Sequence, residues 1–321
     1  MKKRLFVFTL LAIISCSPEK SNYVTKTYLV MGTVLNVTLP QKYILFSDSV
    51  YSIFRLVDSL MNPIKPYSDI YKINDNSGKF VSVHPYTADC IRKAIYVSQL
   101  TDGAFDITVG SLVHLWHFDE QGKYAFPPVD SIEKYRKFVD YRKVVVSDNR
   151  VKIGKDQRIT VAGIAKGYAI DLAAHYLRDK GVSSAIIDAG GDLYLVGTKE
   201  GKPWRVGIRD PHNREGINRV VALSDISCCT SGDYERYIEQ NGKRYSHIFS
   251  PLTGYPVSNG VRSVTVLFKD AALCDGFATA IFVMGPEKAK ELQEKVKGLE
   301  YYIIMDDTTI YSEGFTKYLA D

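Results

Sequence analysis

The order of strand-like and helix-like segments is the sequence feature that most constrains the fold. From about residue 142 onward, short runs rich in β-branched residues follow one another, and only three helical patterns interrupt them. A doubly wound parallel sheet would alternate strands and helices regularly, and this chain does not. We therefore predict an α+β fold with mixed or antiparallel sheets and packed helices.

Periodicity also predicts the individual elements. Residue alternation indicates one strand over Tyr28–Leu39, and turn residues predict hairpins at Asp148-Asn149 and Asn241-Gly242. Apolar residues at helical spacing predict five helices, over residues 47–61, 87–100, 162–180, 271–284 and 286–297. The remaining strands are predicted over residues 185–188, 193–197, 204–209, 219–223, 234–239, 243–249, 261–268, 301–305 and 309–312.

The N-terminus has the pattern of an export signal. Lys2, Lys3 and Arg4 precede an apolar run of about ten residues, which is too short to span a bilayer as a helix. Ile13-Ile14-Ser15-Cys16 resembles the lipobox of bacterial lipoproteins, in which a peptidase cuts before the cysteine and the thiol carries a palmitate-containing lipid. The alternative is a plain signal peptide with an incidental cysteine. We predict a signal peptide over 1–15, lipidation at Cys16 and a membrane-anchored lipoprotein on the periplasmic face of a Gram-negative envelope.

Residues 16–27 are predicted to be a tether and residues 28–321 one domain, with room for two closely packed subdomains. Residues 119–130 are the best candidate for an excursion from it. The chain has 41 lysines and arginines against 36 acidic residues, a net charge of +5. Without residues 1–15 the counts are 38 and 36, or +2. Nucleic-acid binding needs a concentrated basic face, so we predict no nucleic-acid partner.

The other four cysteines, Cys90, Cys228, Cys229 and Cys274, do not form a disulfide framework or a CxxC pair, and the sequence leaves their pairing open. No dinucleotide-binding GxGxxG, phosphate-binding GxxxxGK[ST] or zinc-binding HExxH motif occurs.

Three segments carry candidate chemistry. Thr160–Ala169 opens a helix with two glycines and Lys166, which suits an anion, or equally a tight helix–sheet contact with a solvated lysine. Asp275 and Thr279 share a helix face and offer two hard oxygen ligands for Mg²⁺; alternatively, they serve the helix itself. His247 lies at one end of the second predicted hairpin, where it is a candidate base or a structural residue.

Together and in this order, the segments resemble the ApbE-type FAD:protein FMN transferase family, in its lipoprotein form. Eight blocks carry the resemblance: residues 31–33, 103–110, 163–169, 184–197, 204–211, 230–233, 247–254 and 275–279. It covers essentially the whole chain from Tyr28. It implies an ApbE-like architecture related to the T-fold.

The resemblance implies an enzyme that cleaves FAD with Mg²⁺, releases AMP and attaches FMN through a phosphoester to a threonine or serine of an exported or membrane redox protein. FAD-lining residues carried over by position are Met31, Ala104, Phe105, Asp106, Thr160, Lys166 and Ile248. The implied metal ligands are Asp275, Thr279 and the Gly163 carbonyl, and His247 and Asp275 are the implied catalytic residues. Ile64 stands where the family often has a tyrosine near the flavin, with Tyr67 three residues further on.

Two alternatives remain open from the sequence. With water as the acceptor the protein is an FAD pyrophosphatase, and without catalysis it is an FAD-binding lipoprotein. A purely structural lipoprotein would leave the glycine-dense segments unexplained.

Overall fold

A computed structural model describes residues 22–117, 126–213, 215–234, 237–240 and 243–320. Its strands are β1 (Tyr23–Val30), β2 (Thr33–Pro40), β3 (Val81–Ser82), β4 (Val145–Ser147), β5 (Arg150–Lys152), β6 (Ser184–Ala189), β7 (Asp192–Gly197), β8 (Trp204–Arg209), β9 (Ile217–Leu223), β10 (Ile226–Gly232), β11 (Tyr237–Gln240), β12 (Lys243–Ser246), β13 (Val261–Phe268), β14 (Glu300–Met305) and β15 (Thr309–Tyr311). Its helices are α1 (Phe46–Met61), α2 (Asp69–Asp75), α3 (Pro85–Leu100), α4 (Gly110–Leu115), α5 (Val129–Arg136), α6 (Ala165–Asp179), α7 (Ala271–Met284) and α8 (Pro286–Lys295).

An eight-stranded antiparallel sheet organises the fold, in the order β1-β2-β6-β7-β10-β13-β14-β15. Three small antiparallel units accompany it: β3-β5-β4, β8-β9 and β11-β12. The predicted α+β class with antiparallel sheets is confirmed.

The two faces of the sheet are covered differently. Helices α6 and α7 pack on one face, and α1 and α3 pack against them. The β8–β9 ribbon packs on the opposite face, where Trp204, Val221 and Phe315 are buried. Because side chains alternate along a strand, Cys228 packs into the core beneath the β8–β9 ribbon, and Cys229 packs into the core beneath the helices.

Helix α7 explains how the sequence fixes this arrangement. Asp270 caps its first turn through the Leu273 N–H, and a run of small and aromatic residues lets it lie buried between the sheet and helices α3 and α6. Gly167 of α6 permits the closest approach, since a Cβ there would lie 2.1 Å from the Ala271 carbonyl oxygen. Helix α7 thereby lies next to both helix α6 and strand β10.

Two predictions near the N-terminus are wrong. The strand predicted over Tyr28–Leu39 is two strands joined by a turn in which Met31 has φ 53° and Gly32 φ 70°. The left-handed conformation is uncommon for methionine, so the local composition does not signal the hairpin. The tether predicted over residues 16–27 also extends too far, because Tyr23–Thr27 pair with β2 and the Tyr23 hydroxyl hydrogen-bonds Ser184.

Elsewhere the predicted elements are confirmed with small shifts. The hairpin at Asp148-Asn149 is present, whereas Asn241-Gly242 lies outside the described residues. Helix α6 begins at Ala165 rather than Ala162. Residues 119–125 of the predicted excursion lie outside the described residues, and α5 begins within the remainder of that excursion.

The cysteine pairing left open by the sequence is resolved for the described residues. Cys90, Cys228, Cys229 and Cys274 are all buried free thiols. Burial raises the pKa of the thiols of Cys90, Cys228 and Cys229, which disfavours the reactive thiolate. Cys16 lies outside the described residues, and within them no helix is long and apolar enough to cross a membrane.

Candidate active site

One cleft gathers residues from five separated parts of the chain. Its empty volume is about 820 Å³, open solvent at its mouth included. Ten of the residues predicted by resemblance line it: Ala104, Phe105, Asp106, Thr160, Gly163, Lys166, His247, Ile248, Asp275 and Thr279.

The turn before α6 meets α7 at the floor of this cleft. A Cβ on Gly163 would lie 3.2 Å from both the Thr279 Oγ1 and the Phe105 ring, so glycine allows the backbone to approach the Thr279 hydroxyl. Thr160 is joined to the segment that carries Phe105, because its N–H donates to the Ile107 carbonyl at 2.8 Å. Gly163, Thr279 and Phe105 therefore form one packed group.

The Asp275 carboxylate and the first turn of α6 are directly joined. Asp275 is 3% exposed, and its Oδ2 accepts the Gly167 N–H at 3.1 Å. The Lys166 Nζ lies 3.8 Å from the same oxygen. The first turn of α6 was predicted to suit an anion. In the structure its Gly167 N–H donates to the carboxylate of Asp275.

A residue that the sequence reasoning left without a role completes this group. Asp192 is 2% exposed; its Oδ2 pairs closely with the Lys166 Nζ and its Oδ1 accepts the Thr230 N–H at 3.1 Å. The only signal in the sequence was the glycine-dense Ala189–Asp192 turn. Other lining residues without an individual prediction are Ile107, Val109, Val113, Ala162, Thr230, Ser231, Gly232, Phe249 and Pro251.

Asp106 braces the wall that bears Ala104 and Phe105. Its Oδ1 accepts from the N–H and hydroxyl of Thr108, and its Oδ2 accepts the Tyr141 N–H. Burial raises the pKa of Asp106, and these hydrogen bonds oppose that shift. Asp106 and Pro251 also line a second, smaller cavity beside Asp140 and Arg142.

His247 and Ile248 follow strand β12 and enter the opposite wall. The Ile248 N–H donates to Ser246 Oγ at 3.4 Å, and its carbonyl accepts the Val257 N–H at 2.9 Å. Ile248 is buried, whereas His247 is half-buried and faces the cleft. This arrangement holds the imidazole at the edge of the ligand space, where a side chain can exchange protons.

Three residues from the sequence reasoning lie elsewhere. Met31 sits in the β1–β2 turn and is not among the residues lining the cleft, and its predicted contact with FAD stays a prediction. Ile64 and Tyr67 are 57% and 62% exposed, and neither lines the cleft.

The oxygen donors suit a hard divalent cation. Asp275 and Thr279 lie one turn apart on α7 and Gly163 packs on Thr279, so the cleft offers a carboxylate, a hydroxyl and a backbone carbonyl from neighbouring residues. Within the described parts of the chain, no three His, Cys, Asp or Glu residues cluster as a metal site. A site with one carboxylate leaves positions open for ligand phosphates, which is how proteins commonly bind Mg²⁺.

Fold and cleft together define the class: an α+β protein whose ligand site combines hard oxygen donors, a lysine and a histidine. The model of the ApbE family matches residues 31–303. The chain therefore belongs to the ApbE family, and the predicted family is confirmed.

Relatives and solved structures agree with this assignment. The FAD:protein FMN transferase of Vibrio cholerae serotype O1 is 32% identical over 300 residues, covering 90% of this chain and 88% of the relative. That of Escherichia coli K12 is 32% identical over 305 residues, covering 89% and 86%. The ApbE protein of Thermotoga maritima superposes with a TM-score of 0.86 at 31% identity, covering 93% of this chain and all of the other. The flavin transferase ApbE from Vibrio cholerae has a TM-score of 0.84 at 29% identity, covering 92% and 99%.

Proposed function

We propose that this protein is a Mg²⁺-dependent FAD:protein FMN transferase. It cleaves FAD, releases AMP and joins FMN by a phosphoester to a threonine or serine hydroxyl of an acceptor protein. The observation that carries the proposal is the convergence of ten predicted site residues on one cleft of this ApbE-family chain.

The residues present fit the metal. Asp275, Thr279 and the Gly163 carbonyl would hold Mg²⁺; the contact between Gly163 and Thr279, and the place of all three residues in the cleft lining, support this assignment. When bound, Mg²⁺ stabilises the negative charge that develops on the pyrophosphate oxygens during transfer.

The chain's own groups supply positioning and proton transfer. The Lys166 ammonium, on the same side as Asp275, offsets phosphate charge. His247 accepts the proton of the acceptor hydroxyl as its oxygen bonds to the FMN phosphorus, while the bond from that phosphorus to the bridging oxygen breaks and AMP leaves. The apolar side chains of Phe105, Ile248 and Phe249, which line the cleft, limit water near the reacting atoms.

The test incubates the protein with FAD, MgCl₂ and a threonine-containing acceptor peptide, and measures AMP and peptide mass. We expect AMP and a flavinylated peptide in equal amounts. AMP with free FMN would favour the pyrophosphatase alternative, and absence of both products would favour the binding alternative. His247→Ala with full FMN transfer would contradict the proposed base.

We also propose that the protein is exported and anchored through lipidated Cys16, so that its acceptor, a redox-complex subunit, has its threonine or serine outside the cytoplasm. The lipobox-like Ile13–Cys16 segment supports this proposal. Cys16→Ser is expected to abolish lipidation at residue 16, measured as the loss of labelled palmitate from the purified protein. A variant that still incorporates palmitate would contradict the anchor.

A further inference from the structure

The lysine of the cleft lies between two buried carboxylates. Lys166 Nζ pairs closely with Asp192 Oδ2 and lies 3.8 Å from Asp275 Oδ2. Asp192 and Asp275 are 2% and 3% exposed. The closer partner is therefore the carboxylate outside the proposed metal ligands.

Several contacts fix the Asp192 carboxylate in place. Asp192 begins β7 and pairs with Ala189 across the β6–β7 turn, and its second oxygen accepts the Thr230 N–H. Gly190 in this turn has φ +69°, and a Cβ there would lie 2.1 Å from Thr33 Oγ1. The turn is thus held against the β1–β2 turn, and Asp192 cannot shift without disturbing both.

The geometry sets up a competition for Asp275. An ammonium and a divalent cation both favour that carboxylate and repel each other. If Lys166 lost its partner in Asp192, Asp275 would be the other carboxylate that the described residues place near it, and the lysine would compete with the cation for that carboxylate.

We propose that Asp192 is a positioning residue that holds the Lys166 ammonium beside Asp275, so that Asp275 stays open to a divalent cation while Lys166 faces the ligand phosphates. This inference rests on the proposed function, because it assumes a metal at Asp275. It assigns a role to the Ala189–Asp192 turn.

The test measures Mn²⁺ binding to the protein without FAD, by electron paramagnetic resonance of the free ion, in four forms: wild type, Asp192→Asn, Lys166→Met and the double variant. Asparagine keeps an acceptor for the Thr230 N–H and removes the charge that holds Lys166. Thermal unfolding of each form checks that the fold is retained.

We expect Asp192→Asn to weaken Mn²⁺ binding by about tenfold in the presence of Lys166. In the Lys166→Met background the same change is expected to weaken binding by less than about threefold, because no ammonium then competes. Lys166→Met alone is expected to bind Mn²⁺ at least as tightly as wild type.

Equal weakening by Asp192→Asn in both backgrounds, or no weakening in either, would overturn the inference. Wild-type protein that transfers FMN but binds no Mn²⁺ would overturn it while leaving the transferase activity standing. If the four forms bind Mn²⁺ as expected but the wild type transfers no FMN, only the proposed function is rejected.

Discussion

Two lysine–carboxylate clusters flank the contact between α6 and α7, and they have almost the same composition. In the capping cluster (Lys93, Asp171, Asp270), Lys93 pairs with Asp270 beside Asp171. In the cavity cluster (Lys166, Asp192, Asp275), Lys166 lies between the two carboxylates. Each cluster draws one residue from α6 and one from α7 or its N-cap.

The clusters differ in what their carboxylates bind. In the capping cluster, Asp171 accepts the Ala271 and Ala272 N–H groups at 2.8 and 2.9 Å, and Asp270 accepts that of Leu273 at 2.9 Å. The described lining of the cleft includes none of its residues, whereas it includes Lys166 and Asp275. The same chemical groups therefore stabilise a helix end in one place and, through Lys166 and Asp275, line the cleft in the other.

The most direct test of this difference is to make the same substitution in each cluster. Asp275→Asn is expected to lower the rate of AMP release with FAD and Mg²⁺ by at least about 100-fold, since it removes the only carboxylate proposed to hold the metal. Asp270→Asn, five residues earlier, is the matched control, because asparagine also caps helices well. Its rate is expected to stay within about threefold of wild type. Similar losses in both variants would erase the functional distinction.

The contact between the clusters can be tested at Gly167. A Cβ there would lie 2.1 Å from the Ala271 backbone oxygen, so Gly167→Ala forces α6 and α7 apart. We expect the free energy of unfolding to fall by about 1–3 kcal/mol. Gly276→Ala is the control, since its Cβ meets only the Val97 side chain at 3.1 Å. Guanidinium denaturation of both measures the difference, and coincident midpoints would contradict the predicted backbone clash.

The capping cluster is expected to give a smaller, pH-dependent effect. Burial chiefly, and then the charge of Asp270, raise the pKa of Asp171 to about 7. Between about pH 4 and 7 the folded protein therefore keeps a proton on Asp171 that the unfolded chain has lost. The contribution of this proton to the free energy of unfolding is full below about pH 4 and is lost as pH rises through 7. The slope is at most about 1.4 kcal/mol per pH unit.

Asp171→Asn should flatten that slope. The measurement is the free energy of unfolding of wild type and variant at several values between roughly pH 4 and 8. Lys93 and Asp270 remain in both proteins, so the difference isolates Asp171. Identical slopes would assign the pH dependence to other groups.

Local pattern was enough for much of the fold, whereas most of the site was predicted from the resemblance. Strand β13 and helix α7 were predicted residue for residue, and in the structure Asp270 caps α7 and Gly285 follows its last residue. The residues that line the cleft came from the resemblance, and the structure brings ten of them together. Their individual roles still await the experiments.

What escaped prediction depends on contacts between distant residues. Asp192 meets Lys166 and Thr230 only because β7 pairs with β10 and packs on α6, and no local spacing encodes those pairings. The β1–β2 turn escaped for the opposite reason: Met31 adopts a conformation that its residue type rarely signals.

The early start of β1 would limit how far the folded domain could lie from a lipid anchor at Cys16. Tyr23 is already paired in the central sheet, so at most seven chain steps separate it from Cys16. Fully extended, these span about 25 Å, which is less than the thickness of a bilayer. An enzyme lipidated at Cys16 would work within a thin layer above the membrane, and its acceptors would be reached by lateral diffusion in two dimensions.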